Sequence, residues 1–235
     1  MTSSKDILVV QIGNTSFKWA LFKGANISAS GRSFSASELP LSEFIDSGAQ
    51  LFFSSDSNKA QLDLFIQLFP FAKEIPLSNY PKHKYSVGMP GLDRLANVAA
   101  ATQEFPNDTC LIIDFGTCIT YTLCKANTLL EGAISPGINL RLKAMHEQTG
   151  KLPLTETPSI SPKKFGNTTE ENMHAGVFHG IVFEINGFIQ IGKQHTNQLK
   201  VILTGSDASN FAGHIDYPIF ADEFLTLKGL RQIIS

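Results

Sequence analysis

Apolar residues fall along this chain in short runs that stop at polar turns, and the runs recur in a fixed order. Leu111, Ile112 and Ile113 read as a buried strand that delivers Asp114 into the turn Phe115-Gly116-Thr117. A second β-rich run, Ile119 to Leu123, follows at once, so residues 111–124 predict a hairpin with an acid and several backbone N–H groups at its tip. Near the start, Leu8 to Phe22 repeats the order: apolar strand, polar residue, Gly-Asn-Thr turn, second strand. Placing Gly13 over Gly116 aligns Val9-Val10 with Ile112-Ile113, Gln11 with Asp114 and Asn14 with Thr117, at an offset of 103 residues. Self-similarity on that scale suggests two related halves rather than a solenoid.

The remaining segments extend each half. Lys23 to Ser37 reads as the end of a meander, broken by turns at Gly24 and Gly31. Residues 38–46 have the helical spacing of Leu39, Leu41, Phe44 and Ile45. Leu51-Phe52-Phe53 then opens through a Ser-Ser-Asp-Ser turn onto a helix from Lys59 to Phe69, which Pro70 stops. After a loop over 80–90, a helix begins near Gly91. Beyond the second hairpin, the pattern predicts a Gly132 turn, a short Ala-Ile-Ser strand and a helix from about Asn139 to Gln148. On that helix Leu140, Ala144 and Met145 face inward, and Arg141, Lys143 and Glu147 face solvent. A Pro-rich loop over 153–164 leads to a long helix within 166–189 that opens with a Thr-Thr-Glu-Glu cap. Ala175, Gly176 and Gly180 on it suggest close packing against another backbone. Val201 to Ser209 is a strand entering a Thr-Gly-Ser turn and a helix. A meander giving way to α/β alternation predicts an α/β fold with mixed sheets. Its two domains are expected over 1–108 and 109–235.

Composition narrows the function. At 235 residues, 43% hydrophobic and 17% charged, the chain has ample material for a core. A net charge of −2 and the lack of any basic run give no footprint for nucleic acid or an anionic membrane. Cys110, Cys118 and Cys124 are odd in number and lack CxxC spacing, so buried free thiols in a reducing cytoplasm are expected rather than a disulfide framework or a zinc site. With no signal-like start and no apolar stretch of spanning length, the expectation is a soluble cytoplasmic protein.

The tips carry the candidate chemistry. A Gly-Thr turn after a strand can hold phosphate on backbone amides while the carboxylate positions Mg²⁺. The plainer alternative is a core hairpin whose Asp114 caps its own turn. Two such tips would grip a nucleotide from both sides. Asp93 and Arg94 stand in the first turn of their predicted helix. The macrodipole favours the acid there and mildly disfavours the cation, so the Arg is better explained by an anion or a partner. His174 and His179 are five apart, which is not metal-ligand spacing on a helix, and His146 lies on a polar face. No nucleophile elbow, GK[ST] loop or GxGxxG is present.

Taken in order, QIGNT (11–15), GLDR (91–94), DFGT (114–117), GAISPG (132–137) and TGSDA (204–208), with the spaced GNTTEENMHAG (166–176), resemble the type III pantothenate kinases. These belong to the superfamily of acetate and sugar kinases, heat-shock chaperone ATPases and actin. The resemblance covers Leu8 to about Ala208. It implies two duplicated ribonuclease-H-like domains with ATP in the cleft and pantothenate beside it. The implied reaction is ATP-dependent phosphorylation of pantothenate at its 4′-hydroxyl, the first step towards coenzyme A. By resemblance, Asp93 is the general base, and Tyr85, Gly91, Arg94 and Thr169 bind substrate. Gln11, Gly13, Asn14, Thr15, Lys18, Gly116, Thr117 and Gly205 line ATP, and Asp114 organises Mg²⁺. A monovalent cation (K⁺ or NH₄⁺) and a homodimer are also implied. Two positions depart from the family's pattern. Gln11 stands where an Asp is usual, and Tyr85 lies six rather than seven residues before Gly91. Gln11 thereby also admits a non-catalytic regulator on the same fold, and a small-molecule kinase with another substrate is a third reading.

Overall fold

The computed structural model describes residues 6–158 and 161–234. The chain forms two compact units. One runs to Glu104 and regains the chain from Phe224; the other is Phe105–Glu223. The expected division after residue 108, with everything beyond it in the second domain, therefore differs from the observed one at the C-terminus.

In the first unit, β1 (Ile7–Ile12), β2 (Phe17–Lys23) and β3 (Asn26–Ser33) form an antiparallel meander. After α1 (Ser42–Asp46), β4 (Gln50–Ser55) pairs parallel to β1. Following α2 (Lys59–Leu68), β5 (Lys73–Glu74) pairs parallel to β4, for the order β3-β2-β1-β4-β5. A short β6 (Lys82–His83) precedes α3 (Leu92–Glu104). The second unit repeats the plan. Its β7 (Thr109–Phe115), β8 (Cys118–Lys125) and β9 (Thr128–Pro136) are antiparallel neighbours, and β10 (Leu199–Gly205) and β11 (Ile219–Ala221) continue in parallel from β7. The unit's own five strands stand in the order β9-β8-β7-β10-β11, which matches that of the first sheet strand for strand. Even the irregularity recurs, with register shifts at Leu21/Phe22 and at Leu123/Cys124. The duplicated α/β fold expected from the repeat of 103 residues is the fold observed.

The central strands β1 and β7 are buried on both faces, and alternate residues of each point into one core. Leu8, Val10 and Ile12 of β1 join Phe17, Trp19, Leu51, Phe53 and Phe65 in the first core. Leu111, Ile113 and Phe115 of β7 meet Met173, Val177, Ile181 and Ile185, spaced four apart on α5 (Thr169–Lys193), in the second. Each such side chain contributes about 1.5–3 kcal/mol on burial. After the short α6 (Ala208–Ala212) that follows β10, the final helix, α7 (Leu225–Ile233), buries Leu225, Leu227 and Leu230 and lies on α3. Gly229 meets the Ala96 backbone, and Thr226 donates to Asn97 Oδ1 at 2.8 Å. This packing returns the C-terminus to the first unit.

Several local expectations change. Gly31 lies inside β3, where a Cβ would stand 2.8 Å from Trp19 Cζ2, so it is a flat strand position under an indole rather than a turn. Gly132 likewise lies within β9, and the turn is Ala126-Asn127, both at positive φ in a two-residue hairpin loop. Residues 38–46 do not form one helix, because Pro40 disfavours helical backbone at Leu39; a 3₁₀ turn (Ala36–Glu38) and α1 stand on either side. On α4 (Ile138–Glu147) the buried face is Ile138 and Leu142, while Leu140 is exposed. Arg141 is half-buried and paired rather than facing solvent: Nη2 meets Glu184 Oε2 at 2.6 Å, and Nε donates to the Pro136 carbonyl at 2.7 Å. Among the described residues Gly176 and Gly180 touch no other backbone; with Ala175 and the exposed Phe183 they line an open groove on α5. No helix among the described residues is long and apolar enough to cross a membrane.

Candidate active site

The first unit gathers two groups of the expected residues. At the tip of the β1–β2 hairpin, the Gly13 N–H donates to the Ser16 carbonyl at 3.0 Å and closes the turn, leaving Asn14 and Thr15 exposed. Gln61, in the first turn of α2, donates to the Asn14 carbonyl at 3.3 Å and steadies that tip. Gln11 is buried on β1, opposite Lys18 on β2 and Ser54 on β4. Directly opposed residues share a face, so the half-buried Lys18 lies beside Gln11.

The second group surrounds the start of α3. Gly91 supplies the carbonyl for the first helical bond, from Leu95 N–H at 3.2 Å. Asp93 follows in the first turn, with Oδ1 accepting the Arg94 N–H at 2.6 Å. Arg94 is 4% exposed, and its guanidinium carbon lies 6.0 Å from the Tyr85 ring centroid. The structure thus brings Tyr85, Gly91, Asp93 and Arg94 together, although a loop separates Tyr85 from the helix in sequence. A buried Arg over an aromatic face is positioned for an anionic group more specifically than a lysine would be.

Asp56, one residue past β4, was missed by reading the sequence. Its Oδ1 accepts the Leu92 N–H at 2.6 Å and its Oδ2 the Asp93 N–H at 2.9 Å. Burial pushes its carboxyl pKa up, and the two backbone N–H groups oppose that shift. Nearby, the Tyr80 hydroxyl donates to Ser54 Oγ at 2.7 Å. Burial pushes its pKa up to about 12, the Ser54 bond opposes this, and the charges of Asp56, Glu74 and Asp93 add to it. Nothing local in the segment 52–58 signals these partners, which lie more than 30 residues on.

In the second unit, Asp114 is half-buried near the end of β7, opposite Thr120 on β8 and Thr204 on β10. The Gly116 N–H donates to the Cys118 carbonyl at 3.0 Å, a tighter closure than that from Gly13 to Ser16. Gly205 ends β10 at φ +93°, where a Cβ would run into the Phe115 backbone and stand 2.7 Å from Asp114 Oδ1, so glycine is required by the backbone first and leaves the carboxylate room beside it. Gly137 caps α4 and donates its N–H to the Thr117 carbonyl at 3.0 Å. This sets the N-terminus of a ten-residue helix on the Gly116-Thr117 turn, a favourable setting for phosphate. Thr169 is the first residue of α5 and is exposed. The cap is Thr168, whose Oγ1 accepts the Glu171 N–H at 3.1 Å.

No group of three His, Cys, Asp or Glu residues among the described residues forms a metal cage. Cys110 and Cys124 are buried and Cys118 is half-buried; all three are free thiols. His146 Nδ1 pairs with the Leu152 carbonyl at 2.7 Å.

Comparison with known proteins places the chain in a family. The sequence model of the family described as type III pantothenate kinase matches residues 71–191. The type III pantothenate kinase of Phocaeicola vulgatus is 35% identical over 241 residues, covering 97% of each chain. That of Flavobacterium johnsoniae is 33% identical over 244 residues, covering 96% of each. The match to that of Bacteroides fragilis is 44% identical over 146 residues but covers only 62% of this chain and 60% of that relative. Among solved structures, a Baf family protein of Campylobacter jejuni superposes with a TM-score of 0.65 at 21% identity, covering 97% of each chain. The activator of 2-hydroxyisocaproyl-CoA dehydratase from Clostridium difficile, with bound ADPNP, gives 0.52 at 13% identity, covering 97% of this chain and 92% of that one. The structural neighbours share the duplicated fold. The relatives named as kinases do not favour a non-catalytic regulator. This chain belongs to the type III pantothenate kinase family.

Proposed function

We propose that this chain transfers the γ-phosphate of ATP to the 4′-hydroxyl of pantothenate, giving 4′-phosphopantothenate and ADP, the first step towards coenzyme A. The observation that carries the reading is the cluster at the start of α3, where Asp93 and Arg94 meet Tyr85 in a chain of this family. Asp93 accepts the hydroxyl proton as the oxygen–phosphorus bond forms and the bond to the ADP leaving oxygen breaks. A positioned base of this kind contributes about 10²–10⁴-fold. Arg94 holds the carboxylate of pantothenate, and Tyr85, Gly91 and Thr169 complete its binding. The amides and side chains at Gly13, Asn14, Thr15, Gly116 and Thr117, with Lys18, steady the phosphates, and Gly205 approaches the adenosine. Phosphoryl transfer needs such positioning and charge neutralisation more than covalent chemistry.

Mg²⁺ fits the donor set of these residues. A lone carboxylate beside a phosphate-type turn suits an ion held mainly by nucleotide phosphates and water, not by a protein cage. Asp114 would hold it, with Gln11 accepting from a bound water, and the ion would supply charge neutralisation. A monovalent cation, K⁺ or NH₄⁺, is part of the proposal. So is a homodimer, which the exposed Phe183 (72%) and Phe165 (87%) beside the α5 groove support as a face awaiting a partner.

The test is ADP release by the purified protein with ATP, Mg²⁺ and K⁺, with and without pantothenate. Pantothenate-dependent release that Asp93→Asn lowers by about 10²–10⁴-fold is the expected result. Release independent of pantothenate points to another acceptor, and binding of ATP without release removes the kinase reading.

A further inference from the structure

Helix α3 takes its N-terminal cap from the turn that follows β4. Its first two N–H groups, those of Leu92 and Asp93, have no carbonyl partner within the helix, and Gly91 before them has no side chain to offer. Both donate to the Asp56 carboxylate, one to each oxygen, at 2.6 and 2.9 Å. Asp56 is itself tied down, because its own N–H donates to the Ile12 carbonyl at 3.0 Å, one step past the β1–β4 ladder. The chain of bonds therefore runs from the end of β1, just before the Gly13 turn, through Asp56 to the backbone of Asp93.

The two carboxylates also share one small space. A Cβ on Gly91 would stand 2.6 Å from Asp93 Oδ1 and 3.4 Å from Asp56 Oδ1. Glycine at 91 leaves that space to the acids. A bidentate carboxylate fixes two successive N–H groups more tightly than a Ser or Thr cap, which accepts only one. It thereby fixes the direction in which the Asp93 side chain leaves the backbone. Reaction rates are sensitive to that direction: a misplacement of about 1 Å can cost on the order of 10²-fold.

We propose that Asp56 is the positioning residue for the Asp93 base, acting through the Leu92 and Asp93 amides rather than on substrate. The proposal rests on the reading of Asp93 given above. Asp56→Asn keeps an acceptor for one of the two N–H groups, and Asp56→Ser gives a second, smaller cap should the first fold poorly.

The experiment is a double-mutant cycle of Asp56→Asn (or Asp56→Ser) with Asp93→Asn, reading kcat, both KM values and the melting temperature. Asp56→Asn is expected to lower kcat by about 10–100-fold, with both KM values within about 3-fold and little change in melting. In the Asp93→Asn background the same change is expected to cost less than about 2-fold, since a misaimed base that is already lost cannot be lost again. Multiplicative losses would mean that Asp56 acts apart from Asp93 and would overturn the proposal. Wild-type kcat in Asp56→Asn overturns it as well. An activity loss in both Asp56 variants that merely follows lost melting temperature reduces Asp56 to a helix cap. Full activity in Asp93→Asn alone removes the base itself, and this proposal with it; a loss there combined with multiplicative behaviour removes only the role of Asp56.

Discussion

Gly137 lies so close to Gly116 that a Cβ at position 137 would stand 2.5 Å from the Gly116 carbonyl oxygen and 2.8 Å from that of Thr117. Both obstacles are backbone, so a side chain at 137 must push α4 off the turn or distort the turn itself. Gly137→Ala is expected to cost about 1–3 kcal/mol by urea unfolding, as overpacking does. It is also expected to raise the KM for ATP about tenfold while the KM for pantothenate holds. Wild-type stability with wild-type KM would show that α4 retreats freely and takes no part in holding the turn.

Gly91 offers the opposite case, because the nearest obstacle to its Cβ is the tip of a flexible side chain, Asp93 Oδ1 at 2.6 Å. Gly91→Ala should therefore leave stability within about 0.5 kcal/mol, as an uneventful substitution does. The Asp93 carboxylate must move, and kcat is expected to fall by about 10²-fold. Steady-state kinetics beside a thermal melt checks this; unchanged kcat removes the requirement for that carboxylate position.

The hairpins and long helices were legible in the sequence because their signals are local. Val9-Val10 and Ile112-Ile113 lead into Gly-containing tips, and α5 repeats its apolar residues every four positions. What was not legible depends on distant partners. The amphipathic pattern of α7 says that one face is buried, but not that α3 of the first unit covers it. Asp56 reads as a turn residue because its partners, Leu92 and Asp93, lie far along the chain. Gly31 resembles a turn until Trp19 is seen lying over it. The Asp93–Arg94 pair was legible because a cation in a first helical turn needs a reason. The Gly137 contact was not, since a glycine after a proline signals a turn equally well without one.

Glu184 predicts a pH dependence. Its Oε1 accepts from the hydroxyls of Tyr121, at 2.7 Å, and of Ser135, and its Oε2 pairs with Arg141 Nη2 at 2.6 Å. Burial alone would push this carboxyl pKa up, but the bonds from Ser135, Arg141 and Tyr121 and the charge of Arg141 hold it below the usual range. A depressed folded-state pKa contributes stability above the unfolded value, near 4.3, that is lost as pH falls through the folded value. Glu184→Gln is thus expected to be less stable than the wild type at pH 7, with the gap closing below about pH 4. Urea unfolding at pH 7 and pH 3 checks it. A gap that is constant with pH would assign the loss to shape rather than charge.

Phe183 is 72% exposed on α5, beside the groove lined by Gly176 and Gly180. An exposed Phe beside a groove offers a surface that a second copy would cover in the proposed dimer. If a second copy covers it, Phe183→Glu would bury a charge at the interface and should shift the protein from dimer to monomer in sedimentation at micromolar concentration. A wild-type monomer, or a dimer that survives the change, places the interface elsewhere or removes it.

Gln11 gives the sharpest test of the proposed Mg²⁺ site. It is 7% exposed, between Lys18 on one neighbouring strand and Ser54 on the other. Gln11→Asp brings a carboxylate to a site where desolvation opposes its charge and Lys18, on the same face, favours it. Without nucleotide or Mg²⁺ the variant is expected to be less stable by about 1–3 kcal/mol, the usual result of leaving a buried polar group poorly satisfied. With ATP, the added charge should tighten the hold on the metal, and the Mg²⁺ concentration giving half-maximal turnover should fall several-fold. Titrating free Mg²⁺ at fixed ATP measures this directly, and melting in the same titration reads metal binding independently of turnover. A midpoint that stays put in both readouts would exclude position 11 from the metal's environment. The charge that accompanies the phosphates would then fall to Asp114 alone.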